Sequence, residues 1–374
     1  MTAVIAGYAR SPFHPARRGR LAGVRPDDLA GAVIAALVER TGVDPAALED
    51  VVLGCAFPEA EQGMNLGRIA ATIAGLPQSV AGATVNRLCG SSMQAVHMAA
   101  GAIAMGAGDA YVCAGVESMS RVPMGGWNPL YNPGLVERRP EVYMSMGETA
   151  ENVAARFGVA RAEQEAFAVE SQRKAAAAMA GGRLADEIVT VGGVGEDGCP
   201  RPDTTLAGLA ALEPAFVRDG TVTAGTSSPL TDGAAAVLVT SERFAREHGL
   251  EPLARVRSVA VSGCEPEVMG IGPVQATRKA VERAGIGVEE LDVVELNEAF
   301  ASQAVACLRE LGIDPARCNI DGGAIALGHP LGATGARITG KAAQLLRREG
   351  GRYALATQCI GGGQGIATVL EAAV

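Results

Sequence analysis

Short apolar runs alternate along the chain with longer segments in which apolar residues recur every three to four positions. Leu29, Val33 and Leu37 show the second pattern, because they share one face of a helix predicted over residues 27–40. The short runs predict buried strands at residues 3–8, 51–55, 83–85, 110–115, 234–240, 293–295, 353–357 and 366–370. The longer segments predict helices at residues 27–40, 65–74, 89–104, 149–181, 274–283, 299–311 and 336–348. This alternation predicts an α/β fold with a mostly parallel sheet and helices on both of its faces.

The order of elements repeats within the chain. Glu39-Arg-Thr-Gly with Leu48 matches Glu282-Arg-Ala-Gly with Leu291 at a constant offset. We therefore predict two copies of one fold, packed back to back, with sites forming where the copies meet.

The predicted boundaries follow from this repeat. The first half covers residues 1–119 and is completed by residues 229–252, and the second half covers residues 253–374. Residues 120–228 differ in composition, with Gly- and Pro-rich loops around a helical stretch. They predict an inserted loop domain that lies over a site.

Composition argues against several classes of protein. The formal net charge of −9 argues against a nucleic-acid-binding protein. The eight cysteines include no CxxC pair and the chain has only four histidines, so we expect no metal site. Free thiols favour a reducing compartment, and we find neither a secretory signal nor an apolar run of membrane-spanning length. We therefore expect a cytoplasmic protein without a membrane partner.

The first candidate for chemistry is Cys89, in the stretch Asn86-Arg-Leu-Cys-Gly-Ser-Ser. The pattern predicts a strand, a tight turn and a helix that begins at the cysteine. At that position the free backbone N–H groups and the helix dipole favour a thiolate. Gly90 would let a substrate approach the backbone, and Ser91 or Ser92 could cap the helix. The alternative is a buried cysteine that acts as a small apolar residue.

Three later stretches carry further candidates. His329 lies in the glycine-rich sequence Gly-His-Pro-Leu-Gly ahead of a predicted helix, where a core-packing role is implausible. Cys359 follows a predicted strand in Cys-Ile-Gly-Gly-Gly-Gln-Gly, and the alternative there is a glycine hairpin with an incidental buried thiol. Asn297 or Glu298, in Asn-Glu-Ala-Phe, can point at a site, and the alternative is ordinary N-capping by Asn297.

Taken in this order, the four motifs Cys-Gly-Ser-Ser, Asn-Glu-Ala-Phe, Gly-His-Pro-Leu-Gly and Cys-Ile-Gly-Gly-Gly-Gln-Gly resemble those of the thiolase family. The resemblance runs the full length of the chain and is strongest to the 3-ketoacyl-CoA thiolases that degrade fatty acids. It implies a duplicated βαβαβαββ fold with the two halves packed in α-β-α-β-α layers.

The resemblance also implies a mechanism. Cys89 attacks the ketone of a 3-ketoacyl-CoA and holds the acyl group as a thioester, while His329 takes its proton. Cys359 protonates the departing acetyl-CoA enolate and then deprotonates CoA. One oxyanion hole pairs His329 with a water held by Asn297, and the other uses the backbone N–H groups of Cys89 and Gly361. Acyl-CoA and CoA are substrates, and no metal or redox cofactor is expected.

Position within the family's motifs assigns three residues to substrate binding. Ser228 matches a serine that contacts pantetheine, Arg201 matches an arginine near the adenine nucleotide, and Met146 matches a methionine that lines the acyl pocket. Residues 192–201 form a shorter segment than in typical relatives, which bears on the cover over CoA and on Arg201.

Several alternatives stay open at this point. An acetoacetyl-CoA thiolase working in the condensing direction shares the chemistry, although Ser145 stands where short-chain biosynthetic thiolases usually carry histidine. A decarboxylating condensing enzyme or a non-catalytic acyl-CoA-binding relative would be expected to lack Cys359 or another of the three reactive residues. The family's usual assembly implies a homodimer or homotetramer, with the sheets that carry Cys89 pairing across the interface. The resemblance also allows a partner protein within a β-oxidation complex.

Overall fold

The computed structural model describes residues 1–373 of the chain. Its strands are β1 (Ala3–Arg10), β2 (His14–Pro15), β3 (Asp50–Gly54), β4 (Ala81–Val85), β5 (Ala110–Ser118), β6 (Thr231–Ser241), β7 (Ala254–Gly263), β8 (Val293–Leu296), β9 (Tyr353–Ile360) and β10 (Gln364–Ala372). Its α-helices are α1 (Pro26–Thr41), α2 (Leu66–Ile73), α3 (Ser91–Met105), α4 (Pro133–Arg138), α5 (Met146–Arg156), α6 (Arg161–Ala180), α7 (Leu206–Ala210), α8 (Glu242–Glu247), α9 (Gly272–Ala284), α10 (Ala301–Leu311), α11 (Ala324–Leu327) and α12 (Leu331–Glu349). Short 3-10 helices lie at Pro45–Ala47, Ala60–Gln62, Pro140–Tyr143, Ala185–Glu187, Ala224–Thr226, Pro266–Ile271, Val288–Glu290 and Pro315–Arg317.

The two halves repeat one sheet topology. In the first half the strand order is β4-β3-β5-β6-β1, with β3 parallel to β4 and β5, and with β6 antiparallel to β5 and β1. In the second half β8 is parallel to β9, and β10 is antiparallel to β9 and β7. A single parallel bridge between Val294 and Cys318 takes the place of β4. The predicted duplicated βαβαβαββ fold is therefore confirmed.

The prediction of a mostly parallel sheet was wrong, because the sheet is mixed. The last strand of each half, β6 or β10, runs antiparallel to both of its neighbours. Between β9 and β10 the chain reverses in a tight glycine turn, whereas the whole insertion separates β5 from β6. Alternation of strands and helices indicates their order but not the direction in which the last strand enters the sheet.

Helices α3 and α12 lie between the two sheets. They contact each other, and α12 also contacts β5 and β6 of the first half and β8 and β9 of the second. Helices α1 and α2 cover the outer face of the first sheet, while α9 and α10 cover that of the second. The molecule is therefore layered α-β-α-β-α, as the resemblance implies. The sheets join edge to edge through only two residue pairs between β1 and β7.

Burial on both faces explains the nearly continuous apolar runs in the strands. Along β5, Val112 and Ala114 face the outer helices, whereas Tyr111 and Cys113 face the central layer. A strand covered by helices on both faces has no solvent-facing side to carry polar residues.

The stretch between β5 and β6 is fastened to both halves by buried charges. Arg10 on β1 is fully buried and donates from Nε to Glu187 and from Nη1 and Nη2 to Asp197, each at 2.7 Å. Lys341 on α12 donates to the other oxygen of Glu187 at 2.9 Å. Removing one partner of such a buried pair leaves an uncompensated charge, so these contacts hold the segment around 187–197 firmly in place.

Among residues 1–373 no helix combines the length and the apolar character needed to cross a bilayer.

Candidate active site

Cys89 lies in the turn between β4 and α3, two residues before the helix begins. Two side chains hold this turn: Asn86 Oδ1 accepts the N–H of Leu88 at 2.8 Å, and Ser91 Oγ accepts the N–H of Arg87 at 2.9 Å. Leu88 has a φ of 45°, a left-handed conformation that is unfavourable for a branched side chain. The turn is therefore locally strained beside the cysteine, and the hydrogen bonds around it maintain that shape.

Two expectations for this turn, a serine cap on α3 and a favoured thiolate at Cys89, were wrong. Residue Gly90, not a serine side chain, occupies the N-cap of α3, and Ser92 Oγ instead accepts the N–H of Ala336 on α12 at 2.8 Å. A side chain at Gly90 would come within 2.5 Å of Ile360, so the glycine serves packing between the two halves. Burial raises the pKa of Cys89 to about 11, a rise that outweighs the hydrogen bond from the Gly361 N–H. The resting residue is therefore a thiol, not a thiolate.

His329 is buried immediately before α12, and its ring is held on both sides. Its Nδ1 lies 2.6 Å from Thr334 Oγ1, and the same hydroxyl donates to the carbonyl of Pro330 at 3.1 Å. A hydroxyl has one hydrogen to donate, so Thr334 accepts from Nδ1–H. This assigns the tautomer in which Nε2 carries a lone pair.

Asn297 meets the free nitrogen of that ring. Its Nδ2 lies 3.3 Å from His329 Nε2, and its backbone N–H donates to the carbonyl of Thr357 at 3.0 Å. Asn297 is fully buried, and its Oδ1 has no hydrogen-bond partner within residues 1–373. The alternative of N-capping does not apply, because Phe300 is the N-cap residue of α10.

Burial keeps the imidazole uncharged. It lowers the pKa of His329 to about 3, and the positive charge of Arg337 lowers that pKa further. At neutral pH the ring is therefore a neutral base with an available lone pair.

Cys359 and Gly361 come from the hairpin between β9 and β10. Gln358 Nε2 donates to the carbonyl of Cys89, and the Gly361 N–H donates to the Cys89 thiol. Burial raises the pKa of Cys359 well above its usual value, and the neighbouring Cys89 raises it further. The hairpin is a glycine hairpin, as the alternative proposed, yet its thiol lies close enough to Cys89 to interact with it.

The binding candidates differ in where they lie. Met146, the first residue of α5, packs with Cys359, Met269 and Phe300, and its sulfur lies 3.5 Å from the position that a Cβ on Gly361 would occupy. Ser228 is half-buried, and its backbone N–H donates to the carbonyl of Ala299 at 3.0 Å. These two residues therefore border the site.

Arg201 is placed differently. Its side chain is exposed, and its backbone N–H donates to Gln172 Oε1 at 2.8 Å. These contacts tie Arg201 to α6, not to the cysteine turn.

Sequence reasoning missed three polar residues around the site. Thr334 fixes the His329 ring, Gln358 holds the Cys89 carbonyl, and Glu117 at the end of β5 accepts hydrogen bonds from both halves. Glu117 had a visible signal, because it is a carboxylate that ends an otherwise apolar strand. Thr334 and Gln358 had none, since a threonine in a helix and a glutamine beside a cysteine are ordinary.

Within residues 1–373 no group of three or more His, Cys, Asp or Glu side chains is arranged to hold a metal ion.

All comparisons with known proteins point to the same family. The thiolase N-terminal domain matches residues 3–243, and the thiolase C-terminal domain matches residues 250–372. The 3-ketoacyl-CoA thiolase of Bacillus subtilis is 48% identical over 386 residues, covering 99% of each chain. The 3-ketoacyl-CoA thiolases of Idiomarina loihiensis and Shewanella denitrificans are 47% and 46% identical, covering 98% and 99% of each chain.

Proposed function

Because this chain belongs to the thiolase family, we propose that it cleaves 3-ketoacyl-CoA with CoA, giving acetyl-CoA and a shortened acyl-CoA. The observation that carries the proposal is the contact of the Cys89 turn with the Gln358–Gly361 hairpin, which joins two thiols from different halves of the fold. A reaction that breaks a carbon–carbon bond beside a ketone needs a nucleophile and a separate acid, and two thiols serve these roles.

In the first half-reaction Cys89 Sγ attacks the C3 carbonyl. His329 Nε2 takes the thiol proton as the C–S bond forms, since Cys89 and His329 are both uncharged at neutral pH. The C2–C3 bond then breaks, leaving the acyl group as a thioester on Cys89 and the acetyl-CoA fragment as an enolate. The Cys359 thiol protonates that enolate and becomes a thiolate.

In the second half-reaction the Cys359 thiolate takes the proton of incoming CoA. The CoA sulfur attacks the thioester, and Cys89 leaves as it recovers its proton from His329. Every group returns to its starting state, so the cycle transfers only protons and an acyl group. CoA enters as a substrate.

Two groups of donors stabilise the oxyanions in this proposal. After His329 accepts a proton, its Nε2–H and a water held by Asn297 face the thioester oxygen of the enolate. The backbone N–H groups of Cys89 and Gly361 face the oxyanion of the acyl-enzyme step. Each such donor typically lowers a barrier by about 3 kcal/mol.

We propose further that Met146 lines the acyl pocket and that Ser228 contacts the pantetheine arm of CoA. The packing of Met146 against Cys359 and the half-buried position of Ser228 beside Ala299 support these roles. Arg201 is proposed to contact the adenine nucleotide, and its exposed side chain on the insertion is compatible with that role.

We propose the division of the chain into residues 1–119 with 229–252, an insertion 120–228, and residues 253–374. The position of β6 between β5 and β1 supports the completion of the first half by residues after the insertion.

We propose a homodimer or homotetramer in which the β4 edges pair. β4 ends its sheet, and a strand in that position leaves one row of backbone groups open for pairing. Eight cysteines without a disulfide within residues 1–373 favour the reducing cytoplasm.

The test is CoA-dependent thiolysis of acetoacetyl-CoA and of a medium-chain 3-ketoacyl-CoA, with Cys89→Ala and Cys359→Ala beside the unchanged protein. Cys113→Ala is the matched control, since that buried thiol lies in the central core and donates to the carbonyl of Ala95. We expect the unchanged protein and the control to cleave the longer substrate better, and both site variants to lose at least about a thousandfold in rate.

Cleavage of acetoacetyl-CoA alone would keep the mechanism and overturn the substrate class. An unchanged protein that cleaves neither substrate would contradict the proposed function.

A further inference from the structure

The end of β5 carries a carboxylate that the proposed mechanism does not use. Glu117 is fully buried, and it is surrounded by backbone of both halves of the fold. A buried carboxylate is costly unless its oxygens are hydrogen-bonded, so its partners show what it holds together.

All of its partners are donors. Glu117 Oε2 accepts the N–H of Ala56 at 2.8 Å and that of Gly332 at 2.9 Å. Glu117 Oε1 accepts the N–H of Phe57 at 3.2 Å and Gln62 Nε2 at 2.8 Å. The Cys55 thiol also donates to Oε1, at 3.6 Å. Burial raises the pKa of Glu117, whereas the hydrogen bonds from these donors lower it. An acceptor for a carboxylic-acid proton is not among these groups, so the arrangement fits the ionised carboxylate.

The partners belong to different halves of the molecule. Ala56, Phe57 and Gln62 follow β3 in the first half, beside the sheet that ends in β4 and the Cys89 turn. Gly332 lies in the first turn of α12 in the second half, three residues after His329. One carboxylate oxygen therefore joins the sheet that carries the nucleophile to the turn that carries the base.

We propose that Glu117 is a positioning residue that fixes the His329 turn relative to Cys89. This inference rests on the proposed function, because it concerns the same proton transfer. Glu117 does not touch the reacting atoms; it acts through the Gly332 N–H and the start of α12. Small displacements of a general base from its proton donor lower the rate steeply, so this contact controls turnover.

The charge of Glu117 gives a second, separate effect. It is among the causes that raise the pKa of the Cys89 thiol. Two variants therefore separate the positional effect of Glu117 from the effect of its charge. Glu117→Asp keeps the charge but is one methylene shorter, so it cannot reach Gly332 and the Ala56 loop together. Glu117→Gln keeps the length but removes the charge, and its amide NH2 faces two N–H donors in either orientation.

The experiment measures thiolysis kinetics and the rate at which iodoacetamide alkylates Cys89 at pH 8, with the amount of folded protein determined for each variant. We expect Glu117→Asp to lower kcat at least about tenfold with little change in KM, and to leave the alkylation rate within about twofold. We expect Glu117→Gln to lower kcat similarly and to speed alkylation about three- to tenfold, because the thiol pKa falls.

The matched control is Gln62→Met. Gln62 contacts Glu117 only from the first half, so its loss lowers the melting temperature but should leave kcat within about threefold. A Glu117→Asp variant with unchanged kcat per folded molecule would overturn the proposal. A Gln62→Met variant that loses as much kcat as Glu117→Asp would also overturn it, because the effect would then be general loosening.

Failure of the proposed function is distinguishable from failure of this inference. If the unchanged protein does not cleave either 3-ketoacyl-CoA, the function fails. If it does, and the Glu117 variants keep their kcat as Gln62→Met is expected to, the function stands and the positioning role fails.

Discussion

The two residues at the centre of the proposed reaction rest in their uncharged forms. Burial raises the pKa of Cys89 to about 11 and lowers that of His329 to about 3, so a thiolate–imidazolium pair is unfavourable in the free protein. Proton transfer from Cys89 to Nε2 must therefore accompany attack on the substrate. The protein thereby limits the exposure of a thiolate to other electrophiles until a ketone is in place.

This arrangement depends on a hydroxyl that holds the imidazole. Thr334→Val removes the acceptor for Nδ1–H, so the ring loses both its fixed tautomer and its orientation. We expect kcat/KM to fall about 10- to 100-fold while the melting temperature changes little. Thr334→Ser is the control, because it keeps the hydroxyl and should retain most activity. Equal losses in the two variants would show that the hydrogen bond to His329 is unimportant.

At the scale of elements, α12 approaches the end of β5 closely, backbone against backbone. A Cβ on Gly332 would lie 2.7 Å from the Val116 carbonyl oxygen and 2.8 Å from Cys55 Cα, both of which belong to backbone. Backbone cannot move aside as a flexible side chain can, so α12 must shift if any side chain is added there.

Gly332→Ala should therefore destabilise the fold by about 1–3 kcal/mol and lower kcat as well, since it displaces the N–H that Glu117 accepts. Differential scanning fluorimetry and thiolysis rates measure the two effects. Gly134→Ala, in the exposed helix α4, is the control, because its Cβ would meet no atom closer than 3.5 Å. It should be neutral or stabilise by up to about 1 kcal/mol. A Gly332→Ala variant as stable and active as the control would contradict this account.

The elements also show what the sequence can predict. Periodicity located most strands and helices, because most strands are buried on both faces and each outer helix on one. It missed β7, whose residues alternate between buried and partly exposed. It could not predict the directions of β6 and β10, which depend on pairing across the sheet. His329 was identifiable because a histidine in a glycine-rich turn is unusual. The protonation state of Cys89 was not, since it depends on burial by residues from the other half.

At the scale of the whole molecule, the strand register relates the two halves position by position. The first parallel pair is Asp50 with Tyr111 in the first half and Val293 with Ala354 in the second, at the same offset as the repeat in the sequence. Counting six residues on from Tyr111 and from Ala354 shows that Glu117 corresponds to Ile360. Cys89 and His329 are equivalent too, since each lies two residues before the first residue of α3 or α12.

The duplication therefore supplied two copies of each position, and the copies have diverged in chemistry. The turn before the helix carries a thiol in one half and an imidazole in the other. The strand end carries the carboxylate of Glu117 in one half and the apolar side chain of Ile360 in the other. This divergence explains why the repeat in the sequence predicted where the halves meet but not the role of Glu117.

The central layer also links stability to pH through two buried histidines. His97 on α3 lies 2.8 Å from Thr368 Oγ1 on β10, and burial lowers its pKa, like that of His329, to about 3. In the unfolded chain both titrate near 6.5. The unfolded state therefore binds more protons below about pH 6.5, and the stability of the fold is lost as the pH falls from there towards 3.

His97→Gln tests this directly, because glutamine can keep a hydrogen bond to Thr368 but cannot be protonated. Each histidine contributes a slope of about 1.4 kcal/mol of unfolding free energy per pH unit between about pH 4 and 6. The variant should lose the contribution of His97 to this pH dependence. Denaturant unfolding at pH 4.5, 5.5 and 8 should therefore show a smaller loss of stability on acidification than in the unchanged protein. At pH 8 both histidines are neutral in either state, and any difference there reports only the hydrogen bond. Identical pH slopes for the two proteins would show that His97 is not held neutral by the contact between the halves.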